Sequence, residues 1–298
     1  MGDTASILRD DLLGANAPLP SGPWVRLCGG QTNTLWRVGA CVVKLFNTAN
    51  DNPIFPNDAK AEARILTHLA GTGLAPRLLQ SCQTSLGPVI LYDHTPGKSW
   101  SANAPLVAQT LAKLHAIKPP SGLRRTPNGS VEIAAQTHGI LNALPPGAAT
   151  PIAALEPSGV IAPTHHKTLL HGDPVPGNLI RRGASLTLID WQCPAIGDAC
   201  EDIAHFLSPA MQIVYRGAPL TPRQKTMFLA ALDPDIAARY ALLAPWYHWR
   251  MVAYCAWKMA FGAPHYSPAK TAEIAALKKR LNCQNRAGSD NRAHYKSQ

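Results

Sequence analysis

Between residues 171 and 191 the chain reads His171-Gly-Asp173-Pro-Val-Pro-Gly-Asn178 and, further on, Ile189-Asp190-Trp191. No other feature constrains the fold as strongly. The segments Thr168 to Asp173 and Ser185 to Trp191 read as two short apolar strands flanking a turn. Taken alone, an Asp in a Gly/Pro turn is a turn residue, and an Asp after a strand caps the next turn. Asp173, Asn178 and Asp190 at these offsets form a set of hard oxygen donors that neither explanation accounts for.

The N-terminal third supplies a sheet. Residues 24–46 read as strand, Gly turn, strand, short turn, strand, and residues 47–57 as a loop. A helical pattern starts at Asp58, with Ala61, Ile65, Leu66 and Leu69 at helical spacing and a stop at Gly71. Two more strands follow, ending near a lobe boundary at residue 92, before Pro96 and Gly97. This divides the chain into 1–92 and 93–298. The rest is mainly helical with Pro/Gly-rich joints, and fraying is expected after residue 283.

Four parts then occur in order: the glycine turn Gly29-Gly30-Gln-Thr32-Asn33; Lys44 on the strand after it; Asp173, Asn178 and Asp190; and Gly197-Asp198 with Glu201-Asp202. Phosphoryl transfer from ATP is the chemistry that wants them. A glycine turn lets backbone N–H groups approach phosphates closely, and a lysine beside it supplies a point charge. Asn178 and Asp190 can hold Mg²⁺ through hard oxygens. Asp173 can orient the attacking hydroxyl and accept its proton, as the acids of kinases do. Glu62 is the one acid in its helix after Asp58, which makes it the expected partner of Lys44.

At these residues the chain resembles the aminoglycoside phosphotransferase and choline kinase superfamily, small-molecule relatives of the protein kinases. His171, Asp173 and Asn178 match its HxDxxxxN loop, and Asp190 its metal aspartate. Gly197 to Ala204 is similar to its GDPxxDLA segment, Lys44 and Glu62 to its Lys–Glu pair, and Leu111 to His115 to its LxxLH segment. The resemblance spans residues 24–260 and implies an α+β, protein-kinase-like, two-lobed fold. It has a small antiparallel-sheet N-lobe, a larger helical C-lobe and ATP in the cleft, with a hinge near Leu91, Tyr92 and His94. His171 and Asp202 are implied as structural braces. Two departures stand out: there is no GxGxxG, and Gln192 occupies a position where choline-kinase-like members often carry Glu.

Composition narrows the partners. Half of the net charge of +10 sits in the tail, where residues 276–298 hold six basic residues and one acid, while the rest is diffuse and without interleaved aromatics. That argues against nucleic acid. The seven cysteines show neither a disulfide nor a zinc framework, no apolar stretch is long enough to span a membrane, and the N-terminus lacks a signal-peptide pattern. A cytoplasmic location is expected. Of eleven acids between residues 91 and 275, five belong to the catalytic region, too few to spare for a polycation. The expected acceptor is a hydroxyl compound with at most one positive charge, a choline-like amino alcohol or thiamine, ahead of an aminoglycoside or a sugar; a silent nucleotide-binding scaffold is more distant. Trp246, Trp249, Tyr254 and Trp257 cluster on one helix and read either as core packing or as an aromatic box for an ammonium.

Overall fold

The computed structural model describes residues 4–27, 32–47 and 52–295, with side chains through residue 282. The chain packs into two compact units. One comprises Met1–Ser101, Lys118–Arg124 and His171–Ala195; the other comprises Ala102–Ile117, Arg125–Leu170 and Ile196–Gln298.

The first unit opens with helix α1 (Thr4–Gly14) and a five-stranded antiparallel sheet. Its strands are β1 (Trp24–Arg26), β2 (Thr34–Val38), β3 (Cys41–Leu45), β4 (Leu78–Thr84) and β5 (Gly87–Asp93), in the order β1-β2-β3-β5-β4. Leu8 and Leu12 of α1 close one face of the sheet, against Trp36, Val38, Cys41, Val43, Val89 and Leu91. Side chains alternate across a strand, so the residues between these point the other way. Lys44, paired with Ile90 and Leu35, and Tyr92, paired with Val42, lie on that second face.

Helix α2 (Ala59–His68) starts where Asp58 accepts the backbone N–H groups of Lys60 and Ala61 at 2.9 and 3.0 Å. It buries Glu62, Ile65 and Leu66. Arg64 donates to the carbonyls of Ser121 and Gly122, which ties residues 118–124 to this helix. The segments Lys98–Ser99, Leu179–Arg182 and Ser185–Leu188 add a small antiparallel sheet.

The second unit is helical: α3 (Ala104–His115), α4 (Ser130–Asn142), α5 (Pro146–Ala153), α6 (Cys200–Leu207), α7 (Pro209–Arg216), α8 (Pro222–Leu229), α9 (Pro234–Ala260) and α10 (Ser267–Tyr295). The long α9 packs against α4, α6 and α10. The fraying expected after residue 283 falls where side chains are not described. Among the described residues no helix is long and apolar enough to cross a membrane.

Candidate active site

Lys44 is fully buried in the middle of β3, and its ammonium bonds two carboxylates. Glu62 of α2 lies 2.6 Å away, and Asp190 is the second partner. Burial alone would favour the neutral amine. The charges of Asp190 and Glu62 outweigh it and hold the lysine pKa above its ordinary value. Burial pushes Glu62 up to about 7, against the pull of Lys44. Glu62 also accepts the backbone N–H of Trp191.

Asp190 follows the strand Ser185–Leu188 with φ of 62°, the left-handed region that non-glycine residues avoid. Its side chain keeps 31% of its surface exposed, so one edge of the carboxylate remains available beside Lys44. The turn before it is bonded into the same unit. Asn178 lies at the end of a short 3₁₀ segment, Pro176–Asn178, and its Nδ2 donates to the backbone oxygen of Asp173 at 2.9 Å and to its Oδ2 at 3.2 Å. Those bonds use the amide nitrogen and leave Oδ1 as the donor for a cation. The carbonyl of Asn178 accepts Ile189 N–H at 2.9 Å, which joins the turn to the Asp190 segment.

His171 braces the turn. Its Nδ1 accepts the Asp173 N–H at 3.2 Å, so the neutral ring donates from Nε2 to the Ile189 carbonyl at 3.0 Å. The ring also packs against Trp191, with centroids 4.4 Å apart. Gly172 has φ of +84°, and a Cβ there would sit 2.1 Å from the Cys193 carbonyl. That contact admits only glycine. Arg124 donates to the same carbonyl at 3.1 Å. Burial, reinforced by Asp173, raises the Cys193 thiol well above its ordinary range, which disfavours the thiolate.

Lys44, Glu62, Asp173, Asn178 and Asp190 thus lie in one unit. Gly29 and Gly30 lie outside the described residues. Thr32 is half-buried. Two residues expected near the nucleotide, Leu91 of the hinge and Asn33 of the glycine turn, have protein partners. The Leu91 side chain belongs to the α1 core, because it alternates with Tyr92, and its backbone is paired with Val43 and Gln80 within the sheet. The Asn33 amide is spent on protein partners: Gln192, Asn57 and the Asn47 N–H. Tyr92 does face the Lys44 side, and burial, with Glu62 and Asp190 nearby, keeps its phenol protonated.

In the second unit, Asp202 is fully buried and accepts from His115 Nε2 at 3.0 Å. The aromatic residues of α9 form two packed groups. Trp249 is completely enclosed, donates to the Ile152 carbonyl at 2.7 Å, and meets Trp246 edge-on. Tyr254 stacks with Trp257 and meets Tyr266, whose ring already carries the Lys258 ammonium at 5.5 Å. The four do not converge on one box. Sequence reasoning missed the position of Arg124, and it singled out Gln192 only as a departure from the family pattern, without its bond to Asn33.

The family model that matches the chain is described as the phosphotransferase enzyme family, over residues 24–243. No curated protein matches it at a significant level. Solved structures do. A choline/ethanolamine kinase family protein from Mesorhizobium loti is 17% identical with a TM-score of 0.63, covering 92% of this chain and 95% of that one. An aminoglycoside-3'-phosphotransferase of type VIII is 18% identical with a TM-score of 0.52, covering 80% and 98%. The amicoumacin kinase hAmiN, in complex with AMP-PNP, Ca²⁺ and Ami, is 13% identical with a TM-score of 0.56, covering 95% and 94%. At these identities the likeness is one of fold, and the fold is the protein-kinase-like one that the sequence implies.

Proposed function

Because the chain belongs to the phosphotransferase enzyme family and is a small-molecule kinase, we propose that it moves the γ-phosphate of ATP to the hydroxyl of a compound with at most one positive charge, a choline-like amino alcohol or thiamine. The observation that carries the acceptor class is the state of five acids in the second unit. Asp198 is paired with Arg239 at 2.7 Å, Glu201 with Arg250 at 2.6 Å, Asp202 with His115 at 3.0 Å and Glu273 with His248 at 2.5 Å. Asp233 is spent capping α9. An acceptor with four or five ammonium groups needs several free carboxylates, and these are engaged.

Lys44 supplies a fixed positive charge for the nucleotide's phosphates. The Asn178 Oδ1 and the part-exposed Asp190 carboxylate are hard oxygen donors and suit Mg²⁺, with Asp190 the anionic member. A bound Mg²⁺ supplies charge neutralisation for the phosphates. Asp173 orients the acceptor hydroxyl and takes its proton on a carboxylate oxygen, held in place by the Asn178 amide and the His171 ring. The likeness to a kinase structure holding AMP-PNP and Ca²⁺ supports nucleotide and divalent-cation use.

The test is a panel: purified protein with Mg·ATP against choline, ethanolamine, thiamine, simple sugars and kanamycin, reading ADP release. Turnover of choline, ethanolamine or thiamine is expected. Phosphorylation of kanamycin with none of these three overturns the acceptor class.

A further inference from the structure

Asn33 and Gln192 stand far apart in sequence, yet their side-chain amides meet. Asn33 Nδ2 donates to Gln192 Oε1 at 2.7 Å and to Asn57 Oδ1 at 2.8 Å. Asn33 Oδ1 in turn accepts Asn57 Nδ2 at 2.8 Å and the Asn47 N–H at 3.0 Å. Both amide protons and both lone pairs of Asn33 are therefore used, which is full satisfaction for a side chain only 8% exposed. Gln192 is 5% exposed, and its main-chain carbonyl accepts the Asp58 N–H at 3.1 Å. Asp58 is the N-cap of α2, the helix that carries Glu62. Two residues after Asp190, then, the chain is bonded to the entry of β2 and to the entry of α2. Removing either amide leaves the other buried with an unmade bond, which costs more than the bond itself contributes.

We propose that Gln192 is a positioning residue, which through Asn33 and Asp58 holds the Asp190 segment in register with β2 and α2 so that its carboxylate stands where the metal–nucleotide complex needs it. The inference rests on the reading of Lys44 and Asp190 as the nucleotide and metal site. Gln192 touches neither; it acts through the amides.

The test uses the full chain as Gln192→Leu, Asn33→Ala, the double variant and Gln192→Glu. Affinity for ATP is measured by calorimetry with Mg²⁺ and with EDTA, and hydrogen exchange of the nucleotide-free protein is followed over residues 52–66. Each single variant is expected to weaken Mg·ATP binding about tenfold and metal-free ATP binding less than about twofold. The double variant should lose no more than Asn33→Ala alone, because the Asn33–Gln192 bond that Gln192→Leu removes is already gone there. Gln192→Leu should lose exchange protection over 52–66, and Gln192→Glu, which still accepts from Asn33, should keep both affinity and protection. Multiplying losses in the double variant, equal losses with and without Mg²⁺, unchanged exchange, or a Gln192→Glu variant as impaired as Gln192→Leu would each overturn the proposal. A wild-type chain that binds no nucleotide sinks the functional reading instead, and the exchange of the four variants still decides the latch.

Discussion

Two buried charge clusters invite comparison. In the first unit Lys44 joins Glu62 and Asp190; in the second Arg250 joins Glu201 and His205. Each places a cation among acceptors inside the protein. In the second cluster every side chain is at most 3% exposed, and Glu201 offers both oxygens to Arg250. In the first, Lys44 and Glu62 are equally enclosed, but Asp190 is not. A closed cluster spends its charge on holding helices together. An open one keeps an anionic edge for something outside the chain. Burial of charge does not mark a site; the acid left partly uncovered does.

The largest effect should come from breaking the closed cluster. Glu201→Ala strands Arg250 in the interior, and about 3–5 kcal/mol of stability should be lost in denaturant titrations. Turnover per folded molecule should be preserved. A loss below about 1 kcal/mol would show that the second cluster is not closed in the sense argued. The open cluster should respond the opposite way. Asp190→Asn keeps the shape and removes the anionic metal donor, so turnover should fall by at least about 10²-fold while the denaturation midpoint barely moves. Near-normal activity at ordinary Mg²⁺ would remove Asp190 from the metal site.

Asp173→Asn separates the roles within the open site. Activity should drop by about 10²-fold or more, the typical loss for a missing general base, with Mg·ATP affinity kept. If affinity collapses and turnover survives, Asp173 belongs with the nucleotide instead.

The smallest effect is a pH slope. Burial raises Glu62 from its ordinary value of 4.5 to about 7, so the folded state holds that proton more tightly than the unfolded chain. Stability contributed at low pH is then lost as pH rises from about 4.5 to 7. Denaturation midpoints across that window should decline for the wild type and flatten for Glu62→Gln, which cannot titrate. A wild-type midpoint that rises through the window would show that Lys44, not burial, governs Glu62.

Much of this was legible in residue order. Gly punctuation and β-branched runs announce β2, β3, β4 and β5, and the spacing of Ile65, Leu66 and Leu69 announces α2. Lys44 and Glu62 were readable as a pair because the family resemblance implies one and the helix offers a single acid after Asp58. The rest depended on long-range packing. The side Leu91 faces is set by α1 landing on the sheet, and the α1 sequence, with only Leu8 and Leu12 buried, carries little amphipathic signal. Nothing local tells that His171–Ala195 packs with the first hundred residues. The bonds joining the amides of Asn33, Asn57 and Gln192 were not readable, because a hydrogen bond between distant side chains leaves no periodicity. The tryptophans of α9 left core and cage open by the same limit: helical spacing gives a face but not what covers it.

Asp190 adopts φ of 62°, a conformation that costs a non-glycine residue of order 1–3 kcal/mol and costs glycine almost nothing. The direction of easy drift follows. Glycine at this position relaxes the backbone while Lys44 retains Glu62 as a partner, so the fold tolerates or even welcomes a change that removes the proposed metal carboxylate. A library of this chain selected for solubility or heat resistance alone will enrich inert variants here. Engineering for robustness therefore has to select for turnover at the same time, or it will breed a well-behaved pseudoenzyme.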